Sequence, residues 1–180
     1  MHARQPLPRI WLMTDERLKA DLLEVVRRLP SGAGIVFRHY SLPPAERRRL
    51  FMHVRRIARA RRLVLMLGGP PALAALWGAD GSPGTCGGKT GPRHLLRSAA
   101  VHNLKQWRQA RQCGAAFVFV SPVFPTRSHP LARALGPVRF GLLAASADRP
   151  VIALGGMDER RFERLHMLPA YGWAGIDAFA

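Results

Sequence analysis

Four places in the sequence combine residue types and spacing that could do chemistry. Gly155-Gly156 follows the apolar run Val151–Leu154 and precedes Asp158, a residue type that opens helices. Glycines between a strand and a helix start let backbone N–H groups close on a phosphate, and the helix dipole adds to the attraction. The competing reading is a plain tight turn. The second place is the loop Ser121-Pro-Val-Phe-Pro-Thr-Arg-Ser-His129, directly after Ala115–Val120. Functional loops sit at the C-terminal ends of parallel strands, and two prolines would stiffen this one so that it presents Thr126 and His129. His102 ends the run Leu95–Val101 and is of a type that moves protons near neutral pH. Arg38 ends the run Ile35–Phe37, where a guanidinium suits a phosphate or carboxylate. The bland readings are a rigid connector, a capping histidine, and one surface arginine among twenty-five.

Metal chemistry is expected to be absent. The run Leu63–Leu67 ends in Gly68-Gly69, and no carboxylate occurs from Ser82 through Pro92. Asp15 and Asp177 end other runs, but two acids so far apart in the chain do not make a magnesium site. Cys86 and Cys113 form no Cys-x-x-Cys pattern and are expected as free thiols in a reducing cytoplasm. Gly87-Gly-Lys-Thr90 lacks the upstream glycine of a phosphate-binding P-loop.

Apolar runs separated by helical patterns must position these residues. The runs are Ile10–Met13, Ile35–Phe37, Leu63–Leu67, Leu95–Val101, Ala115–Val120, Val151–Leu154 and Trp173–Ile176, with a vestigial strand at Ala79–Gly81. Consecutive apolar positions suit strands buried on both faces of a parallel sheet. Helical stripes fall at Leu18–Leu29, Leu50–Ala58, Pro71–Trp77, Leu104–Ala110 and after Asp158, while 82–92 reads as a flexible loop. Alternation of this kind gives an α/β fold with right-handed crossovers. Up to eight strands favour a closed (β/α)8 barrel, whereas the 180-residue length favours an open sheet. No repeat or internal boundary divides residues 1–180, which read as a single domain.

The formal net charge of +17 invites a nucleic-acid partner. Yet the arginines spread from Arg4 to Arg164, and the densest stretch, Arg47 to Arg62, reads as the solvated face of a helix. Nucleic acid is therefore not the expected partner. No apolar run reaches the length of a membrane span and no secretory leader is read at the N-terminus, so a cytoplasmic location is expected.

Taken together the motifs resemble the thiamine phosphate synthase/TenI family of small (β/α)8 barrels. The matching segments are Trp-Leu-Met-Thr14-Asp15, Ile-Val-Phe-Arg38, Trp-Gly-Ala-Asp80-Gly81 and Val101-His102-Asn103-Leu104. Ala115–Val120 with Ser121-Pro-Val-Phe-Pro-Thr126, Leu135-Gly136, and Pro150-Val-Ile-Ala-Leu-Gly155-Gly156-Met157 complete the set. The resemblance implies the barrel despite the short length. It implies two activities: joining an aminopyrimidine diphosphate to a thiazole phosphate with magnesium, or metal-free isomerisation of a thiazole carboxylate phosphate to its aromatic tautomer. In the second branch a histidine in the Val-His segment shuttles the proton, and His102 matches it.

The departures bear on which branch applies. Gly68-Gly69 stands where the synthase has Asn-Asp, and the second metal aspartate, which would fall in the Cys86–Gly88 region, is missing. Tyr40 and His129 replace two lysines, Ala100 and Asp177 replace two serines, and the last helix of the family is absent. The expectation is a TenI-like tautomerase with His102 catalytic and Gly155 and Gly156 on the phosphate. Arg38, Tyr40, Thr126, His129 and Asp177 are expected to contact substrate, with no cofactor; Mg2+ enters only with the synthase alternative. A non-catalytic barrel that binds a phosphorylated thiazole or pyrimidine ligand is the third reading. A flank near Trp173 and Phe179, left uncovered without the last helix, is expected to be buried in a homo-oligomer.

Overall fold

A computed structural model describes residues 6–16, 21–84, 92, 94–128 and 132–179. Eight parallel strands close into a barrel in chain order. They are β1 (Ile10–Met13), β2 (Gly34–Phe37), β3 (Val64–Leu67), β4 (Gly81–Gly84), β5 (Leu96–Val101), β6 (Phe117–Val120), β7 (Val151–Leu154) and β8 (Gly172–Gly175). Helices α1 (Leu22–Arg28), α2 (Pro44–Ala60), α3 (Pro71–Trp77), α4 (Leu104–Gln112), α5 (Gly136–Ala145) and α6 (Glu159–Glu163) pack outside. The strand count, not the chain length, was the informative signal. No helix among the described residues is long and apolar enough to cross a membrane.

Alternate strand residues point into the barrel. Trp11, Met13, Val36, Met66, Phe117, Phe119 and Ile152 form that inner core, with Trp11 stacked on Phe117 at 5.0 Å. Gly34 makes room for the indole, since a Cβ there would lie 2.2 Å from a Trp11 ring carbon. The outward-facing residues form two further cores, one under α1–α3 and one under α4–α6. Caps follow side-chain chemistry: Asp21, Asn103 and Asp158 each accept a backbone N–H at the start of α1, α4 and α6.

The structure corrects three expectations. Ser82–Gly84 belongs to β4 and not to a flexible loop, although Ser-Pro-Gly carries no strand-like side chains. Gly136–Ala145 is helical where none was expected; Gly136 and Pro137 sit at its start, and Gly141 lets the helix approach Leu168, 2.9 Å from where a Cβ would be. The flank at β8 is covered: residues Asp177–Phe179 form a 3-10 turn, and Phe179 stacks on Trp173 at 5.3 Å and 5°. Trp173 is consequently buried, which removes that argument for an oligomer.

Candidate functional site

At the C-terminal end of the barrel the chain leaves each strand into a loop, and inward parity continues one step past the strand. Ser121 follows Phe117 and Phe119 on the inner face, and His102 follows Leu96 and Ser98. Because Val101 pairs with Val120, the next residues, His102 and Ser121, meet at the mouth. The imidazole Nδ1–H donates to the Ser121 carbonyl, and the Ser121 hydroxyl lies 3.3 Å from the same nitrogen. A carbonyl can only accept, so Nδ1 carries the proton and the neutral ring keeps its lone pair on Nε2. His102 can therefore gain and lose a proton at Nε2 without releasing its anchor.

The two motifs on either side of α5 are one physical unit. The Ser121–Thr126 loop, which contains the cis Ser121–Pro122 bond, folds over the Gly155-Gly156 turn. The N–H groups of Val123 and Phe124 donate to the carbonyls of Leu154 and Gly155 at 2.9 and 3.0 Å, while Leu135 and Gly136 donate to Pro122 and Val123 from the other side. Gly155 has φ +93° and Gly156 φ +59°. A Cβ on Gly155 would lie 2.7 Å from Pro122 Cα, and one on Gly156 2.5 Å from the Pro125 carbonyl. Both glycines are required by that contact as well as by the turn. Arg161, on the first turn of α6, donates to the Gly156 carbonyl.

These groups line a cavity of about 730 Å³ over β5–β8. His102, Gly155, Gly156, Thr126, Asp177 and Arg38 all border it. Thr126 Oγ1 accepts from the Ser128 N–H at 3.4 Å. Asp177 pairs with Arg127 at 3.0 Å. Arg38 stands at the rim, where its Nε donates to the Thr14 carbonyl at 2.7 Å and its Nη2 to Asp15 at 2.9 Å. Tyr40 is not brought to the cavity; it lies over β2 and β3, 64% exposed. His129 lies outside the described residues. Ser121, Arg127, Arg133 and Arg161 also line the cavity and were not singled out from the sequence. Inward parity on β6 could have found Ser121, whereas the arginines were hidden among so many. Four arginines against Asp158 and Asp177 leave the lining cationic, a field that favours an anionic ligand.

The other side of the mouth is built differently. Thr14, fully buried, accepts the Arg38 N–H at 2.9 Å and lies 2.9 Å from His39 Nδ1. His39 has φ +38° and stacks on Phe37 at 4.9 Å. Burial holds its protonation below the ordinary value, against the pull of Glu16 and Asp15. Arg47 does not stand on the solvated face expected for its helix. It turns inward among Phe37, Tyr40 and Trp77 and donates to the carbonyls of Arg38 and Gly68, and partial burial moves its pKa down from the usual arginine value while the guanidinium stays charged.

Magnesium is held on a diphosphate by one or two carboxylates together with phosphate oxygens and water, and each carboxylate at this mouth is already engaged by protein groups. The chain has 11 Asp and Glu in all. At the mouth, Asp15 pairs with Arg38, Glu16 holds Ser41, Asp158 caps α6 and Asp177 pairs with Arg127. Asp80 is committed to the Leu65 N–H at 2.8 Å. No group of three potential metal ligands occurs among the described residues.

Comparison with known proteins agrees with this architecture. The model of the thiamine monophosphate synthase family matches residues 10–179. A curated relative from Aquifex aeolicus, named putative thiamine-phosphate synthase 2, is 28% identical over 96% of this chain and 98% of its own. The thiamine-phosphate synthase of Pyrococcus furiosus is 26% identical over 88% of this chain and 80% of its own. A solved structure, thiamine phosphate pyrophosphorylase from Pyrococcus furiosus, superposes with a TM-score of 0.81 at 26% identity, covering 96% of this chain and 86% of that one. A thiamine phosphate pyrophosphorylase from Bacteroides thetaiotaomicron shares the fold at a TM-score of 0.66 and 13% identity. With its closed barrel, its coupled proline loop and glycine turn and this match along nearly its whole length, the chain belongs to the thiamine monophosphate synthase family.

Proposed function

We propose that this member of the family is a metal-independent tautomerase acting on a phosphorylated thiazole, with His102 as the proton shuttle. The observation that carries this reading is His102 itself: anchored through Nδ1 to Ser121, it borders a cavity that ends in a glycine turn. The ligand phosphate would sit against Gly155 and Gly156, with the arginines of the lining supplying countercharge. Nε2 takes a proton from the ring carbon beside the conjugating carboxylate, and the imidazolium returns one to the exocyclic carbon. Bonds and charge balance without an oxidant, a leaving group or a metal, which matches the lack of convergent carboxylates.

The experiment has two arms. In the first, purified protein in a chelator receives the non-aromatic thiazole carboxylate phosphate, and aromatisation is followed by absorbance; catalysed conversion is expected. In the second, thiazole phosphate, aminopyrimidine diphosphate and magnesium are supplied, and thiamine phosphate is read by oxidation to a fluorescent product. Turnover in the second arm alone would make the chain a synthase like its named relatives and refute the tautomerase reading. Silence in both, with the ligand bound, would make it a non-catalytic binder.

A further inference from the structure

We propose that Tyr40 is a specificity-determining plug, which closes the β2–β3 side of the barrel mouth and limits the site to one anionic ligand at a time. The evidence lies in how three residues fit one another. Gly68 follows β3 at an inward-facing position, and a Cβ built there would lie 2.3 Å from the Tyr40 hydroxyl and 3.0 Å from Tyr40 Cζ. The end of the phenol thus occupies the space that any side chain at position 68 would need. The ring of Tyr40 lies under the Arg47 guanidinium, 5.2 Å from its centroid. Arg47 is fixed in turn by the carbonyls of Arg38, at 2.8 Å, and Gly68, so the plug is tied to both strands that it covers.

The cavity borders only the other half of the mouth, with Arg38 marking its edge on this side. A ligand held at Gly155 and Gly156 fills the open half, and the phenol stands where a second anion-bearing substrate would have to lie. The same ring masks the charge of Arg47. Removing it would uncover a guanidinium beside Arg38 and create a second anion site. The inference rests on the proposed function only for the identity of the first ligand.

The test uses inorganic pyrophosphate and thiazole phosphate with the wild-type protein, Tyr40→Ala and Tyr40→Phe, read by isothermal titration. Tyr40 is largely exposed, so the alanine variant is expected to fold, and a thermal scan checks it. In the wild type the two ligands are expected to exclude each other, so that saturating thiazole phosphate weakens pyrophosphate binding at least tenfold. Tyr40→Ala is expected to bind one more equivalent of pyrophosphate per chain than the wild type and to keep that equivalent with thiazole phosphate present. Tyr40→Phe, which retains the ring, is expected to behave as the wild type. Simultaneous binding of both ligands to the wild type, or equal stoichiometry in wild type and Tyr40→Ala, would overturn the plug. If thiazole phosphate binds none of the proteins, the proposed function fails, while the difference in pyrophosphate stoichiometry still decides the role of Tyr40.

Discussion

Replacing Gly155 by alanine separates what the glycine turn owes to backbone conformation from what it owes to contact. At φ +93° an L-residue is strained, and its Cβ would lie 2.7 Å from Pro122 Cα and 3.3 Å from Val123 N. Those atoms belong to backbone held by four hydrogen bonds, so they cannot turn aside as a side-chain tip would. The conformational cost is about 1 kcal/mol, and forcing a methyl into close-packed backbone adds about 1–3 kcal/mol. Gly32 supplies the control: it has φ +79° and nothing within 4 Å of a built Cβ. Gly32→Ala should therefore cost about 1 kcal/mol and Gly155→Ala about 2–4 kcal/mol. For a chain of this size 1 kcal/mol moves Tm by about 2–4 °C. Calorimetry should then place Gly155→Ala at least about 2 °C below Gly32→Ala. Binding of thiazole phosphate should weaken only in Gly155→Ala. Equal Tm values in the two variants would refute the claim that loop and turn form one packed unit.

Three other substitutions probe the two sides of the mouth. His102→Ala should lower tautomerase turnover by about 10²–10⁴-fold and leave ligand affinity within a few-fold; turnover near the wild-type rate would remove His102 from the mechanism. Burial keeps His39 neutral in the fold, whereas the unfolded chain takes up a proton as pH falls through its ordinary value of 6.5. Stability present above that pH is thus lost on acidification. Asn tolerates φ +38° and can still accept from Thr14, so His39→Asn should flatten the fall in Tm between pH 7.5 and 5; parallel curves would show that His39 contributes nothing to it. Glu16, whose carboxyl the Ser41 hydroxyl and N–H hold below its ordinary 4.5, acts only at lower pH. Asp177→Asn weakens the 3.0 Å pair with the exposed Arg127 and should tighten phosphate binding by about two- to fivefold at low salt. Weaker binding in that variant would mean that Asp177 itself touches the ligand.

Strands with consecutive apolar residues, such as Phe117–Val120, were legible because burial on both faces leaves no alternation to misread. β4 was legible only at its start, in the vestigial strand read at Ala79–Gly81, because Ser82, Pro83 and Gly84 lack the apolar side chains that mark a strand. Its strand is imposed by neighbours, and a Cβ at Gly81 would lie 2.4 Å from the Leu96 carbonyl. α5 was hidden by Gly136, Pro137 and Gly141, residues that break helices in isolation but here serve its start and its approach to Leu168. Within the site, the meeting of His102 with the glycine turn followed from parallel topology, since every strand delivers its last residue to the same rim. The fate of charged residues did not follow. Arg47 looked like one more solvated arginine, and only the tertiary placement of Phe37 and Trp77 made it a half-buried tie.

The pairing of β1 with β8 sets a condition on biosynthesis. Ile10 aligns with Trp173, the Trp173 N–H binds the Arg9 carbonyl and the Tyr171 hydroxyl binds Leu7, so the first strand finds its second neighbour only when the eighth exists. Until then a nascent chain carries two unsatisfied strand edges and an inner layer of Trp11, Phe117 and Phe119 open to whatever lies nearby. Chaperone dependence and inclusion-body formation should accordingly track damage to Gly172–Gly175, the last strand to be made.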